Sequence, residues 1–381
     1  MASKANLLPE DLVIEILLFL PVKSLIRFRC VCKSWRDLIH STDFVTRHLN
    51  NSRNRLKNRG LLVMSFQSFE EDLISPSPSC GIAPLISDEP ILDGWEIYEP
   101  SDYSMRGRPF AEEIIGPCNG IYCLYGSSKI ILWNPSSREV KDLPPVSLEN
   151  YLGIGFGFDP KTKDYKVFIP RSCPQNINEG EVDLYSLKSN TWRKLNKLHG
   201  RFPFGFPNWP LPRTCWTLNG VFYWLCNPFQ KRLIIAFDIV HETFHQIPAP
   251  NIQVQEDSIM ADIISFDESN VALIVNKIPI WIHQKCFDIW TLKTWCSPGV
   301  QRKVFSWSKT HRVGPCSPTL FPQVCRNGKL VFLDEKAQVV IFYDLNIRRF
   351  IKRLKLPRGR TTEVFLYEQS LVSLERVTLQ L

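Results

Sequence analysis

A repeat of nearly constant length runs through most of this chain and constrains the fold more than any other feature of the sequence. Five aromatic–polar dipeptides each end a short apolar run and open a turn, and they follow one another at intervals of 52, 52, 53 and 53 residues. These dipeptides are Trp133-Asn134, Tyr185-Ser186, Phe237-Asp238, Trp290-Thr291 and Tyr343-Asp344. A fixed period in this range predicts a repeated supersecondary unit, whereas an irregular β-sandwich has no reason to keep one.

Tight-turn dipeptides indicate what each repeat contains. Asn119-Gly120, Asn219-Gly220 and Asn327-Gly328 open apolar runs, and Asn-Gly is the pair that a two-residue β-hairpin turn prefers. Each unit is therefore predicted to be a three- to four-stranded antiparallel sheet. Radial repetition of such sheets predicts a β-propeller, an arrangement that leaves few exposed strand edges.

The two ends of the repeat region predict how the ring closes. Residues 58–64 look like the start of a further unit, with 94–98 as its diverged continuation, while 362–367 and 370–374 offer strands without a following half. We therefore expect the C-terminal strands to complete a blade that begins near residue 60. Five explicit units and this shared unit predict six blades, with seven as the alternative count.

The first forty residues have a different pattern, that of short amphipathic helices. Pro9 stands where a helix can begin, because its fixed φ and missing N–H cost nothing in the first turn, and Pro21 stands where that helix must stop. Between them Leu12, Ile16 and Leu20 recur at helical spacing. Three short helices cannot bury all this apolar surface alone, since so small a unit is marginal without a partner. The region therefore predicts a binding module.

Two other interpretations of this N-terminal region stay open. An ordinary small helical core would also need the spaced leucines. A helix-turn-helix DNA reader would suit the 11 Lys and Arg against 5 Asp and Glu of residues 1–60. The segment that would enter a DNA groove, however, carries Trp35, Leu38 and Ile39, which we expect to be used for burial. Nucleic acid is therefore the disfavoured partner.

Composition narrows the class and compartment of the protein. At 381 residues, with 44% hydrophobic and 22% charged residues, the chain predicts a globular protein of two domains. No run approaches the ~18 apolar residues of a membrane helix, and the N-terminus lacks a signal-peptide pattern. Twelve cysteines without regular close spacing indicate neither a disulfide framework nor a zinc site. We expect a protein of the cytoplasm and/or the nucleus, without a membrane partner.

The sequence shows no constellation that would carry catalysis or hold a cofactor or metal. The seven histidines are scattered, and the glycine-rich run 153–157 is not followed by the helix that a phosphate-binding loop needs. Neither a nucleophile elbow nor a pair of carboxylates with a shared site can be named. We therefore predict a non-enzymatic protein without cofactors.

Both regions resemble parts of one known family. From Leu8-Pro9-Glu10-Asp11-Leu12 to Cys30-Val31-Cys32-Lys33-Ser34-Trp35, the chain closely resembles the F-box, the helical module that joins a substrate receptor to a cullin-RING ubiquitin ligase. Cys118-Asn119-Gly120, Ile131-Leu132-Trp133-Asn134-Pro135 and Gly155-Phe156-Gly157-Phe158-Asp159-Pro160 are similar to the F-box-associated, kelch-like domain of the large plant-type family.

The resemblance implies a multidomain α+β fold, with a small N-terminal helical F-box followed by an all-β propeller of about six blades. We place the F-box at 1–50, a basic linker at 51–60 and the propeller at 61–381. The segments 68–113 and 199–213 depart from the family pattern, so blade boundaries are least defined there.

The resemblance also implies a function and partners. The chain would be the substrate-recognition subunit of an SCF-type (Skp-cullin-F-box) ubiquitin ligase, bridging a Skp-type adaptor to a target protein that is ubiquitinated and degraded. The adaptor-binding residues would be Leu8, Pro9, Leu12, Ile16, Pro21 and Leu25. The alternative is a kelch-like propeller scaffold or enzyme whose N-terminal helices only cap the propeller, and an adaptor pull-down distinguishes the two.

A segment rich in aromatic residues and proline is the candidate for target binding. Residues 201–213 contain four prolines and four large aromatics, flanked by arginines, a composition typical of interface hot spots. A loop folded back over the propeller edge is the open alternative. Under the first interpretation, the target-binding residues are Phe202, Phe204, Phe206 and Trp209.

Overall fold

The computed structural model consists of four N-terminal helices followed by strands in six antiparallel sheets. It describes residues 8–54, 59–66, 78–84, 96–98, 113–195 and 215–375, except for short internal gaps. These gaps are 127–128, 174–175, 219, 227–232, 252–258, 268–269, 278–283, 297–302, 318, 327, 335 and 357–359. The order of elements confirms the predicted fold class, a helical module followed by an all-β propeller. Within these ranges no helix is both long and apolar enough to cross a membrane.

The helical module is held by one small apolar core. Its helices are α1 (Glu10–Leu18), α2 (Val22–Phe28), α3 (Lys33–His40) and α4 (Thr42–Asn54). The buried side chains of this core are Leu17, Leu18, Val22, Leu25, Ile39 and Phe44. Phe28 and Trp35 close its rim with ring centroids 5.5 Å apart. Of the residues predicted to be used for burial, Ile39 is buried and Trp35 and Leu38 are partly buried against the same core.

Each of the six sheets has four strands, and neighbours along the chain pair in antiparallel order. The first twelve strands are β1 (Arg59–Phe66), β2 (Pro78–Pro84), β3 (Glu96–Tyr98), β4 (Glu113–Cys118), β5 (Ile121–Tyr125), β6 (Ile130–Asn134), β7 (Glu139–Asp142), β8 (Gly155–Asp159), β9 (Asp164–Cys173), β10 (Asn176–Ser186), β11 (Thr191–Leu195) and β12 (Cys215–Leu218). The last twelve are β13 (Val221–Cys226), β14 (Leu233–Asp238), β15 (Thr243–Pro248), β16 (Ile259–Ser265), β17 (Val271–Lys277), β18 (Lys285–Cys296), β19 (Lys303–Cys316), β20 (Leu320–Arg326), β21 (Lys329–Asp334), β22 (Val339–Asp344), β23 (Arg349–Lys355) and β24 (Arg360–Glu368).

The C-terminal strand closes the ring. β24 pairs with β1 in the sheet β24-β1-β2-β3, with Leu61 opposite Leu366 and Leu62 opposite Phe365. This sheet is the first blade, and the second to sixth blades are β4–β7, β8–β11, β12–β15, β16–β19 and β20–β23. β24 also lies against β4 and β20, the first strands of the blades on either side. The predicted ring closure, in which C-terminal strands complete a blade begun near residue 60, is therefore confirmed.

The repeating aromatic–polar dipeptide has a clear structural reason. The aromatic member is buried in a blade, as for Phe237 at 0% exposure, and the polar member accepts hydrogen bonds from the N–H groups of the turn that follows. Asn134 caps its turn in this way, and Asp238 and Asp344 do the same two and four repeats later. In the turn, the backbone N–H groups have no carbonyl of a neighbouring strand to bond to, and the short polar side chain supplies an acceptor in its place.

One predicted turn is wrong. Thr291 does not open a turn but lies in the middle of β18, where it pairs with Ala272 on one side and Ser308 on the other. The residues that follow it up to Cys296 include no Asn, Asp or Gly that could accept turn N–H groups or adopt positive φ. β18 and β19 therefore form a longer hairpin than the corresponding strands of other blades.

The core of the propeller lies between adjacent blades. Phe168 of β9, for example, contacts Phe237 of the next blade at 4.2 Å between ring centroids, and Phe222 and Trp224 complete this cluster. All four side chains are at most 2% exposed. Such aromatic clusters bury large areas between sheets and fix the angle at which one blade meets the next.

A short segment after β24 joins the helical module to the ring. Asn134 donates from Nδ2 to the backbone carbonyls of Ser370 at 3.1 Å and Val372 at 2.8 Å, which holds this segment against the second blade. Leu371, 2% exposed, turns the other way and enters the helical core. Leu374, 1% exposed, returns to the propeller core. The segment 369–374 is thus shared by both parts of the protein.

Candidate interaction surface on the helical module

Helix α1 is apolar on two faces. It begins after Pro9, and Glu10 and Asp11 occupy its first turn, where acidic side chains suit the positive end of the helix dipole. Leu17 and Leu18 face the core at 1% and 2% exposure. A helix that served only to complete this core would be polar on its remaining surface.

The second face of α1 is exposed to solvent. Leu12 and Ile16 are each 51% exposed, and Phe19 follows at 54%, so that positions i, i+4 and i+7 form one stripe. Leu8, at 59%, precedes the helix and Val31, at 62%, follows α2. These five belong to the eight large hydrophobic side chains that are exposed in the described ranges. We call Leu8, Leu12, Ile16 and Phe19 the α1 stripe.

The position of the α1 stripe is fixed by contacts between α1 and α4. Arg47 of α4 forms an ion pair with Glu15 at 2.6 Å, and His48 contacts the Leu20 carbonyl through Nε2 at 2.9 Å. These contacts hold the end of α1 against α4. The stripe is therefore presented on a fixed support.

The cap of helix α3 is the side chain of Cys32. Cys32 Sγ accepts from the N–H of Trp35 at 3.4 Å and lies 3.1 Å from the Ser34 hydroxyl. The Ser34 hydrogen bond, followed by that of Trp35, lowers the pKa of the Cys32 thiol. This geometry explains the Cys32-Lys33-Ser34-Trp35 string of the sequence as a helix start.

The structure separates the six residues that the sequence assigns to adaptor binding. Leu8, Pro9, Leu12, Ile16 and Pro21 are exposed, and Pro21 caps the start of α2. Leu25 is completely buried in the helical core, so it supports the module and we leave it out of the proposed surface. Phe19 belongs to the stripe and was not assigned from the sequence, although its spacing of seven residues from Leu12 was a usable signal.

The residues predicted to bind the target lie outside the described part of the chain. Phe202, Phe204, Phe206 and Trp209 all belong to the segment 196–214. Their role stays a prediction from composition. Across the residues whose placement is described, no group of three or more His, Cys, Asp or Glu could hold a metal ion.

Buried ion pairs of the propeller have a structural role. Lys166 Nζ lies 2.6 Å from Asp159 Oδ2, and Arg171 Nε lies 2.6 Å from Asp183 Oδ2. Burial of Asp159 acts to raise its pKa, but hydrogen bonds from Lys166 and Thr162 outweigh burial and lower the pKa of this carboxyl. The opposite charges of each pair neutralise one another within a blade.

Comparison with known proteins identifies both parts. The F-box domain family matches residues 6–47, and the F-box associated beta propeller domain family matches residues 98–367. An F-box/kelch-repeat protein of Arabidopsis thaliana is 24% identical over 88% of this chain and 87% of its own length. An F-box protein of the same plant is 26% identical, covering 93% of this chain and 92% of its own.

More distant likenesses are found among solved structures. One chain of a nidogen/laminin complex covers 82% of this chain with a TM-score of 0.46 and 14% identity. The family match alone covers well over half of the sequence, from the third strand to the closing strand. The chain therefore belongs to the family of F-box proteins that carry an F-box associated β-propeller domain.

Proposed function

We propose that this protein is the substrate receptor of an SCF-type ubiquitin ligase. The α1 stripe, together with Pro9 and Pro21, is the surface on which the Skp-type adaptor docks, and the propeller holds the target protein. The single observation that carries this assignment is the exposed apolar face of α1, since the opposite face already completes the core. An F-box domain implies an adaptor of this kind and, through it, a cullin ligase.

In this proposal the chain contributes position and no chemical step. Members of F-box/propeller families act typically as non-catalytic adaptors. A receptor that holds a target near a ubiquitin-charged enzyme raises the effective concentration of target lysines around that enzyme. The buried charges described above are paired within blades, which agrees with a structural role. We propose that the protein acts in the cytoplasm and/or the nucleus, as its family members usually do.

The mechanism needs the adaptor and the target to be held in a fixed relation. The segment 369–374 meets this need, because Leu371 is part of the helical core while Leu374 is part of the propeller core. A flexible tether would let the target move through many positions, whereas a shared core restricts it to few. The alternative, helices that only cap a scaffold or enzyme, gives no reason for an exposed stripe on α1.

The adaptor contact is tested by titrating a purified Skp-type adaptor into the full chain. Leu12→Ala with Ile16→Ala should weaken binding about a hundredfold, since burying each aliphatic side chain contributes roughly 1.5–3 kcal/mol. Ile347→Ala with Ile351→Ala is the matched control, because these side chains are also exposed but lie on the sixth blade. Equal adaptor affinity for both variants, with unchanged circular dichroism, would contradict the proposal.

A further inference from the structure

A second apolar cluster lies far along the chain from the helical module. Ile347, Phe350 and Ile351 are 59%, 46% and 41% exposed, and they occupy the turn after β22 and the start of β23. Together with the five on the helical module they account for all eight exposed large hydrophobics in the described ranges. Grouped apolar side chains on a surface mark a contact site more often than scattered ones do.

The same stretch carries charge of one sign. From Leu345 to Leu356 the sequence contains five cations and no acidic residue. The cations whose side chains are described as exposed are Arg348, Arg349, Arg353 and Lys355. The nearest acid in the sequence, Asp344, lies opposite Arg349 in the β22–β23 ladder, and its Oδ1 accepts from the turn N–H groups of Asn346 and Ile347.

The cations of β23 differ from those on the outer strand of another blade. On β11, Arg193 forms an ion pair with Glu242, and Lys194 forms one with Glu181. Among the residues that the structure describes, no acid forms such a pair with Arg349 or Arg353. An ordinary solvated face would carry mixed charges and few bulky apolar groups, so this edge combines two features that favour a partner.

β23 also has a free backbone edge. It is the last strand in the order β20-β21-β22-β23, and in the described part of the chain no strand lies on its outer side. Alternate N–H and C=O groups of such an edge point outward and can pair with another strand. A second copy of β23 would bring like charges together, so self-pairing is opposed, whereas an acidic strand would be attracted.

The apolar part of this edge is already held in place. The ring of Phe350 packs edge-on against Tyr343 at 5.0 Å between centroids and lies 6.2 Å from Phe332. Phe350 is thus fixed on its inner side while about half of its surface stays open. A partner side chain could pack on it without first ordering it, which lowers the entropic cost of binding.

We propose that residues 347–355 form a docking site for an acidic, extended peptide segment of a partner protein, which adds to the sixth blade as a fifth strand. Main-chain hydrogen bonds to β23 would supply affinity. The bulge between Phe350 and Lys352 places Arg349 on one face of the sheet and Phe350 and Arg353 on the other, so carboxylates on both faces of the segment would pair with the two arginines. Apolar side chains of the segment would pack on Phe350 and Ile351. Identifying this partner as the target of the ligase rests on the proposed function. Binding of the segment itself requires no adaptor.

The test uses the full chain and a fluorescently labelled, blocked peptide of repeating Glu-Glu-Val, about nine residues long to match the exposed strand, so that glutamates lie on both of its faces. Saturable binding by fluorescence anisotropy at low salt is expected, and added salt should weaken it. Arg349→Glu with Arg353→Glu should weaken binding about tenfold or more. Lys161→Glu with Lys163→Glu makes the same charge change in the β8–β9 turn, at exposed positions, and should leave binding unchanged.

A second peptide isolates the contribution of the backbone. The same sequence with alternate amides N-methylated keeps its charge but cannot pair along one edge, so its binding should be lost. Equal binding of both peptides, or of the peptide to both charge-reversal variants, would overturn the proposal. Tighter binding of a short DNA duplex or of phosphatidylserine vesicles than of the peptide would also overturn the proposal if Arg349→Glu with Arg353→Glu abolished it. Either result would assign this edge to a polyanion.

Adaptor titration of the same variants keeps the two proposals distinguishable. Arg349→Glu with Arg353→Glu should retain full adaptor affinity, because the helical module is untouched. Loss of peptide binding with intact adaptor binding supports the docking site. Absence of saturable peptide binding to the unmodified chain overturns the docking site and leaves the receptor assignment to be judged by adaptor affinity.

Discussion

The backbone N–H of Val22 donates a hydrogen bond to Oε1 of Gln369 at 3.1 Å. Val22 is the first residue of α2, and the N–H groups of a first helical turn have no partner within the helix. Pro21, at the cap position, supplies no side-chain acceptor. A glutamine from the far end of the chain therefore caps a helix of the F-box, and the F-box and the propeller stabilise one another.

Leu371 should be more important to the F-box than to the propeller. We expect Leu371→Ala to destabilise the helical module by about 2–5 kcal/mol, the usual cost of such a truncation in a core. Leu374→Ala is the matched control, since it removes the same atoms three residues away but from the propeller core. Hydrogen exchange should become faster in α1 to α4 for Leu371→Ala, and in the second and third blades for Leu374→Ala. Identical exchange patterns would show that Leu371 does not belong functionally to the F-box core.

Loss of the Gln369 cap should be visible at one amide. Gln369→Ala should accelerate exchange of the Val22 N–H, because its acceptor is removed while the helix remains. Gln323→Ala provides the comparison, since Gln323 Oε1 accepts from the N–H of Val364 within the propeller. Gln323→Ala should accelerate exchange of the Val364 N–H and leave the exchange rate of the Val22 N–H unchanged. An unaltered Val22 exchange rate in Gln369→Ala would refute the cap.

Gly120 should tolerate no side chain. Its φ is +76°, and a Cβ built there would lie 2.4 Å from the Cβ of Ser370 and 2.7 Å from the carbonyl oxygen of Glu368. Gly120→Ala therefore combines the cost of about 1–2 kcal/mol for an L-residue in the left-handed region with displacement of the shared segment. Gly220→Ala has a similar φ of +74°, but its nearest neighbour would be a methyl group of Ile239 at 3.1 Å. Thermal unfolding should show the larger loss for Gly120→Ala, and equal losses would contradict the role of Ser370.

The Asp159–Lys166 pair predicts a pH dependence of stability. Because hydrogen bonds lower the folded-state pKa of Asp159 below its ordinary 3.8, this carboxylate stabilises the folded state above that value and ceases to do so as the pH falls through the lowered pKa. Asp159→Asn should lower the free energy of unfolding by about 3 kcal/mol near neutral pH, since Lys166 stays buried. The difference from the unmodified protein should shrink as the pH is brought below 3.8. A difference that does not change with pH would contradict this explanation.

The repeat and its chemistry were predictable because they are local. An Asp or Asn at the end of a strand caps the next turn by reaching two or three residues ahead, so Asp238 and Asp344 carry their signal in the sequence. Ring closure was predictable for a related reason, since 362–367 had strand pattern without a following half. Thr291 shows the limit of this reasoning, because its dipeptide looked alike but lacked turn residues after it.

What could not be predicted depends on contacts distant in sequence. Leu25 and Leu12 both recur at helical spacing, and nothing local distinguishes the buried residue from the exposed one. Whether a leucine is buried or exposed depends on which face of its helix packs against the other helices and against Leu371, which is more than three hundred residues away in the sequence. Phe350 and Ile347 likewise resemble core residues in the sequence. The exposure of Phe350 follows from the place of β23 as the outermost strand of its sheet, and that of Ile347 from its place in the turn before β23.

The central claim, that the α1 stripe receives the adaptor, is tested most directly by hydroxyl-radical footprinting of the full chain with and without a Skp-type adaptor. The measurement follows the oxidation of two exposed apolar groups in one experiment: Leu8, Leu12, Ile16 and Phe19 on the helical module, and Ile347, Phe350 and Ile351 on the sixth blade. Our account predicts that saturating adaptor protects the first group and leaves the second unchanged. Unchanged oxidation of the first group in a complex shown to have formed would contradict it.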